Sequence, residues 1–391
     1  MKAVIFGAGN IGRGFIAPLF SLDGWDVTFV DVQAPVVERI NAEGKYPLSI
    51  VSNDKTEVIT IEHVRAVNGN DKDAAVAAIA EADVCATCVG AKAIKYILPN
   101  FSAGVKVRAA DGKYTNLLIC ENLMDADLYV RGLLSDMLTP EELETVGLIE
   151  TSVGRMVPKA KGESADPLAI AVEEYGVLPV DKAAIKGEWR EVKNIVPFTP
   201  FHYYVDRKLF IHNMGHAVCA YLGKTVFDCE YIYEAVGHPC IRLIAEDAMV
   251  ESAMALTKKY GVPFEPIMKH IWDLLTRFCN RALGDTCERV GADIPRKLAH
   301  DDRLIGAARC ALEEGIYPVS ICVGIGAALN EYIKQNGGDP AETLTALSSI
   351  DDGFIKDTSL HFYGMLKSGA GLDKIREDVD RIRRQASGMI V

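Results

Sequence analysis

Apolar residues follow two rhythms along this chain, and the change from one to the other falls near Val196. In the first half, short apolar runs at 3–6, 27–30, 84–89 and 117–120 are bounded by turn residues and predict buried strands. Stretches of helical period lie between them, for example over 11–21 and 35–41. Strands alternating with helices imply βαβ units with right-handed crossovers, and therefore a mostly parallel sheet. Segments 148–157, 168–172 and 191–195 add further strand-like material. Beyond the Pro-rich Pro197-Phe198-Thr199-Pro200 nearly everything has helical period, with long patterns over 208–222, 230–258, 266–284, 302–314 and 319–335. The expected division is a sheet domain over residues 1–195 and an all-helical domain over 196–391.

Where the first strand ends, Gly7-Ala8-Gly9-Asn10-Ile11-Gly12 fits the spacing GxGxxG. Alone that spacing is weak. Here it follows an apolar strand, opens a helical pattern, and is answered by an acid, Asp31, at the end of the next strand. Gly7 permits a tight turn, Gly9 lets backbone approach a pyrophosphate, and Gly12 lets helix and strand pack closely. The helix N-terminus directs free N–H groups and partial positive charge at the phosphates. Asp31 is placed to accept from ribose hydroxyls and to repel a 2′-phosphate, so the expected cofactor is NAD rather than NADP; an FAD-binding start is the alternative. Ala8, Asn10 and Ile11 complete the turn, and Val89 and Gly90, after the 84–89 strand, are further cofactor-binding candidates. The expected fold class is α/β, an N-terminal Rossmann-type sheet followed by an all-helical domain.

Composition narrows the rest. A chain of 391 residues that is 49% hydrophobic and 25% charged reads as soluble, globular and long enough for two cores. No apolar run approaches the roughly 20 residues that a membrane span requires. The opening residues read as a strand and not as a signal peptide, so the expected location is cytoplasmic. The ten cysteines are scattered through apolar segments, in keeping with reduced thiols, and Cys85-Ala86-Thr87-Cys88 reads as buried strand. A net charge of −12 argues against nucleic acid as a partner. No zinc-ligand spacing is seen, so no metal is expected.

The helical half opens on Lys208-Leu209-Phe210-Ile211-His212-Asn213-Met214-Gly215-His216. At 100° per residue on a regular helix, Lys208, Asn213 and His216 share an arc of about 140°. An amine, an amide and an imidazole on one side could serve alcohol oxidation: a base takes the hydroxyl proton and donors steady the oxygen. A polar helix face with a packed histidine is the plainer reading of the same residues.

The spacing Lys-x4-Asn-x2-His resembles the signature of the polyol-specific long-chain dehydrogenases, and the likeness extends over essentially the whole chain. It includes the opening Gly7 to Ile16 and the strand-end Cys120-Glu121-Asn122. The resemblance implies Lys208 as general base, Asn213 and His216 as groups orienting and polarising the reacting oxygen, and Asn122 as a second amide. The chain is short, like the sugar-phosphate members. This implies metal-independent, reversible oxidation of D-mannitol 1-phosphate to D-fructose 6-phosphate with NAD. A hexuronate reductase or a dehydrogenase of unphosphorylated polyols is the alternative within the family. A non-catalytic sensor of NAD(H) is the alternative outside it. The basic cluster around Arg289, Arg296, Lys297 and Arg303 offers Arg296 or Lys297 as a site for the substrate phosphate. A surface salt-bridge network is the competing reading there. The expected partner is thus a small sugar or polyol phosphate, acting on a monomer or homodimer.

Overall fold

The computed structural model describes residues 1–157 and 166–388, which cluster into two compact units, Met1–His202 and Tyr203–Val391. In chain order the strands of the first unit are β1 (Lys2–Phe6), β2 (Asp26–Asp31), β3 (Tyr46–Val51), β4 (Thr56–Ile61), β5 (Val64–Asn68) and β6 (Val84–Thr87). They are followed by β7 (Thr115–Ile119), β8 (Val146–Glu150), β9 (Ile170–Val172), β10 (Leu178–Asp181) and β11 (Ile195–Phe198). Six of them form one sheet in the order β5-β2-β1-β6-β7-β8, every pairing parallel. Its central strands are buried on both faces. Ala3, Ile5, Ala86 and Leu118 pack into one core, while Val4, Phe6, Leu117 and Ile119 pack into the other. That two-sided burial explains why these strands read as unbroken apolar runs.

Chain order leaves β1 in both directions, to β2 on one side and β6 on the other. In open parallel sheets such a reversal opens a crevice beyond the carboxyl ends of the strands. The Gly7 turn follows β1, Val89 and Gly90 follow β6, and Asn122 follows β7, so the expected cofactor residues of this unit lie along one sheet edge.

Several expectations change. β3 and β4 form an antiparallel hairpin that joins β9, and the apolar patterning does not announce it because β4 is largely exposed. The strand expected over 191–195 lies instead at β11 and contains Pro197, in a two-stranded parallel pair with β10. A two-stranded pair is all edge, where a proline's missing N–H is tolerated. That pairing includes residues 195–198, and the first compact unit ends at His202, inside the helix His202–Arg207.

The described residues of the second unit contain helices and no strand. The long pattern over 230–258 is two helices, Ile232–Gly237 and Pro239–Tyr260, separated at His238, because Pro239 starts a helix but cannot continue one. No helix among the described residues is long and apolar enough to cross a membrane.

Candidate active site

In the first unit, Gly7 has φ +98°, and a Cβ there would lie 2.5 Å from the Cys88 carbonyl oxygen. A side chain on Gly12 would collide with the Gly7 carbonyl oxygen, whereas nothing lies within 4 Å of the position a Gly9 side chain would take. The turn is therefore tight at both ends and open in the middle, a shape that suits close approach of a pyrophosphate. The segment Gly12–Ile16 that follows is wound as a π-helix before regular α-helix resumes at Ala17.

Asp31 is tied directly to this turn. One carboxylate oxygen accepts from Ala8 N–H at 2.7 Å, and the other from Gln33 N–H at 2.9 Å. Each oxygen keeps acceptor capacity for a ribose hydroxyl. The residues present therefore fit a dinucleotide with a free 2′-hydroxyl.

Two residues that sequence reasoning passed over brace the loops at this end of the sheet. Arg13, buried, donates from Nε to Ala8 O at 2.6 Å and from Nη1 to Leu168 O at 2.5 Å, anchoring the back of the turn to the 166–168 segment. Glu121 accepts from Val89 N–H at 2.8 Å and from Gly90 N–H at 2.9 Å. A cleft of about 330 Å³ at this sheet edge is lined by Ile11, Cys88, Gly90, Glu121, Asn122 and Arg155, among others. Cys85 is buried within β6, where burial pushes its thiol up to about 12.

In the second unit the helix geometry departs from expectation. Lys208–Asn213 is a π-helix, and regular α-helix begins at Met214. Its bonds run from i to i+5, so a little more than one wide turn separates Lys208 from Asn213 and leaves them roughly 50° apart in azimuth. The 140° arc calculated for a regular helix is thus too wide. The wider winding brings the Lys208 and Asn213 positions closer in azimuth than a regular helix would, and His216 follows within the first turn of the α-helix.

Burial and then the positive charge of Arg303 bring the Lys208 amine down from its ordinary range to about 8. At that value about half the amines are neutral at pH 8, so the residue can act as a base without strong alkali. His216 stacks on Phe278, with ring centroids 4.5 Å apart and planes within 8°, and its Nε2 approaches Asp285 Oδ2 at 3.1 Å. Burial raises the Asp285 carboxyl, but His216 and Arg289 outweigh it and hold the group below its ordinary range. Asp285 is therefore held as an anion at the edge of the imidazole, whose face stacks on Phe278. His212 is buried behind them. Desolvation first, then the charges of Arg277 and its neighbours, keep it far below the usual histidine range, as a neutral packing group.

The two phosphate candidates part company. Arg296 is exposed and donates from Nε to Asp293 at 2.7 Å, an i,i+3 surface pair. Lys297 is only 4% exposed and has no ion-pair partner among the described residues. Burial first, then Arg303 and Arg296, lower its amine to about 8, with Asp293 and Asp302 offsetting only part of that. Arg303, itself mostly buried, is bound to Asp302 at 2.7 Å and acts electrostatically on both Lys297 and Lys208.

A model of the mannitol dehydrogenase Rossmann domain matches residues 1–193, and one of the mannitol dehydrogenase C-terminal domain matches residues 201–345. The chain belongs to the mannitol dehydrogenase family. It is an NAD-dependent polyol dehydrogenase, an oxidoreductase acting on CH–OH groups. Mannitol-1-phosphate 5-dehydrogenase of Shouchella clausii strain KSM-K16 is 37% identical to it over 354 residues, which cover 89% of this chain and 92% of that one. Two solved structures share the family fold at low identity. A substrate-free D-sorbitol dehydrogenase aligns with TM-score 0.72 and 15% identity, covering 98% of this chain and 92% of its own. The Pseudomonas fluorescens mannitol 2-dehydrogenase, in ternary complex with NAD and D-mannitol, aligns with TM-score 0.67 and 14% identity, covering 98% and 94%.

Proposed function

We propose that this mannitol dehydrogenase family member interconverts D-mannitol 1-phosphate and D-fructose 6-phosphate, with Lys208 as general base and no metal. The observation that carries the phosphate reading is Lys297, a buried amine with no ion-pair partner among the described residues, near the largely buried Arg303. A buried cation that nearby carboxylates offset only in part is costly, so a fold that keeps one has a use for an anion there. The name of the Shouchella clausii relative supports the same substrate.

On this reading the N-terminal unit holds NAD at Gly7, Ala8, Gly9, Asn10, Ile11 and Gly12, with Asp31 on the adenosine ribose and Val89 and Gly90 along the nicotinamide half. NAD supplies the hydride acceptor. Lys208 receives the hydroxyl proton, and returns it in the reverse direction. Asn213 donates to the reacting oxygen without titrating, and His216, fixed by Asp285 and Phe278, polarises it. Asn122 keeps the role that the family likeness implies. Lys297 and Arg303 take the phosphate, and Arg296 is left as a surface ion pair.

The direct test compares fructose 6-phosphate with fructose in an assay of NADH consumption. A kcat/KM preference for the phosphorylated ketose of 100-fold or more, on the order expected for charge-assisted contacts, supports the proposal. Equal use of the two sugars overturns the phosphate reading while leaving the lysine mechanism standing.

Cofactor choice gives a separate expectation. Asp31→Ser should weaken NAD binding by about ten-fold and raise the NADP-to-NAD ratio of kcat/KM. Because Asp31 also holds Ala8 N–H, loosening of the turn alone would harm both cofactors alike. The ratio is therefore the informative quantity, and an unchanged ratio would remove Asp31 from ribose recognition.

A further inference from the structure

The hydrogen-bonded ladder between β6 and β7 ends at the pair Thr87 and Ile119. Beyond it the two chains leave the sheet side by side, one toward Val89 and Gly90, the other through Cys120 to Glu121 and Asn122. Ordinarily such exits are loose, since their amides no longer meet a neighbouring strand. Here Thr87 Oγ1 accepts from Cys120 N–H at 3.2 Å, and farther out Glu121 reaches across to the other exit. Both oxygens of Glu121 are used, Oε1 by Val89 N–H at 2.8 Å and Oε2 by Gly90 N–H at 2.9 Å.

We infer that Glu121 is a positioning residue for the cofactor: its carboxylate clamps the turn at Val89 and Gly90 into the shape that receives the dinucleotide. The inference rests on the reading, proposed above, that this turn faces NAD. Three observations converge on it. The bond is bidentate to successive backbone amides, so it fixes the orientation of two peptide planes and not merely their distance. Gly90 sits at φ +88°, a conformation that favours glycine, and nothing lies within 4 Å of where its Cβ would be, so the turn is open on that side. Glu121 and Gly90 line the same cleft, together with Asn122, the next residue in the chain. Burial raises the Glu121 carboxyl, against the hydrogen bonds from Val89, Gly90 and Thr87 that favour its charged form. The fold thus maintains a partly desolvated acid whose contacts are the two backbone donors of this turn and the Thr87 side chain at the end of β6.

The test uses the full-length enzyme with Glu121→Gln and Glu121→Ala. Glutamine keeps the shape and one acceptor but presents an NH₂ to the second amide, so half the clamp survives. Dissociation constants for NAD should rise in the order wild type, Gln, Ala, by about ten-fold or more for Ala. At saturating NAD, kcat should fall by less than the NAD affinity does, and the polyol-phosphate KM should hold. NAD affinity within two-fold of wild type in both variants would overturn the inference. So would parallel losses in kcat, both affinities and melting temperature, which would mark a purely structural acid. Gly90→Val, which cannot easily hold φ +88°, separates this inference from the reading beneath it. If Gly90→Val weakens NAD binding and the Glu121 variants do not, Glu121 alone is misassigned. If Gly90→Val leaves NAD affinity intact, the turn does not face the cofactor and both fall, whatever the Glu121 variants do.

Discussion

Replacing Lys208 with methionine is expected to lower the rate of alcohol oxidation by about 10²–10⁴-fold while NAD affinity holds, because a positioned base contributes on that order. Methionine preserves most of the volume, so packing around the π-helix should survive. Lys208→Arg is the sharper variant. Arginine keeps a positive charge but does not deprotonate in the working pH range. If Lys208 serves only as a cation, arginine should rescue activity; if it must lose a proton, arginine should be as inactive as methionine. Measurements of kcat at saturating NAD and polyol phosphate, with NADH binding followed by fluorescence, distinguish these outcomes. Equal losses in turnover and cofactor affinity would point to a structural lysine.

The second large effect is expected at Lys297. Lys297→Met should reduce kcat/KM for the phosphorylated substrate by about 10–100-fold, the range for losing a charged hydrogen-bond partner. The same variant should barely affect unphosphorylated mannitol. Stability adds an independent check. Lys297 is buried without an ion-pair partner among the described residues, so methionine should leave the melting temperature of the ligand-free protein unchanged or raise it. A residue whose removal costs function but not stability is one retained for binding. Arg296→Ala should do little, since its contact with Asp293 is exposed and such pairs contribute only about 0–1 kcal/mol. Proportional losses on phosphorylated and unphosphorylated substrates in Lys297→Met would contradict the assignment.

Much of this was legible in the sequence, and the exceptions share a physical cause. The glycine turn, Asp31 and the apolar runs of the central strands are written in side-chain types at fixed spacing, and the parallel sheet follows from their alternation with helices. The hairpin of β3 and β4 was not legible, because a largely exposed strand carries little apolar signal. Nor was the π-helix at Lys208–Asn213, since a change of hydrogen-bond register is a backbone event that side-chain periodicity does not report. Glu121 and Arg13 escaped notice because their partners are backbone N–H and C=O groups, which every residue has and no composition reveals. For the phosphate, sequence gave Arg296 and Lys297 equal standing. Burial separates them, and burial at adjacent positions of a short helix depends on what packs against it.

The central claim is that Lys208 works by exchanging a proton near neutral pH. The most direct test is the pH dependence of turnover in both directions, under conditions where a deuterated substrate or cofactor shows that hydride transfer limits the rate. With the amine lowered to about 8 by burial and Arg303, it is neutral above that pH and charged below it. Oxidation should therefore rise with pH through about 8 and level off, while reduction, which needs the ammonium as acid, should fall across the same interval. Profiles that are flat in both directions, or that move together, would contradict a lysine base.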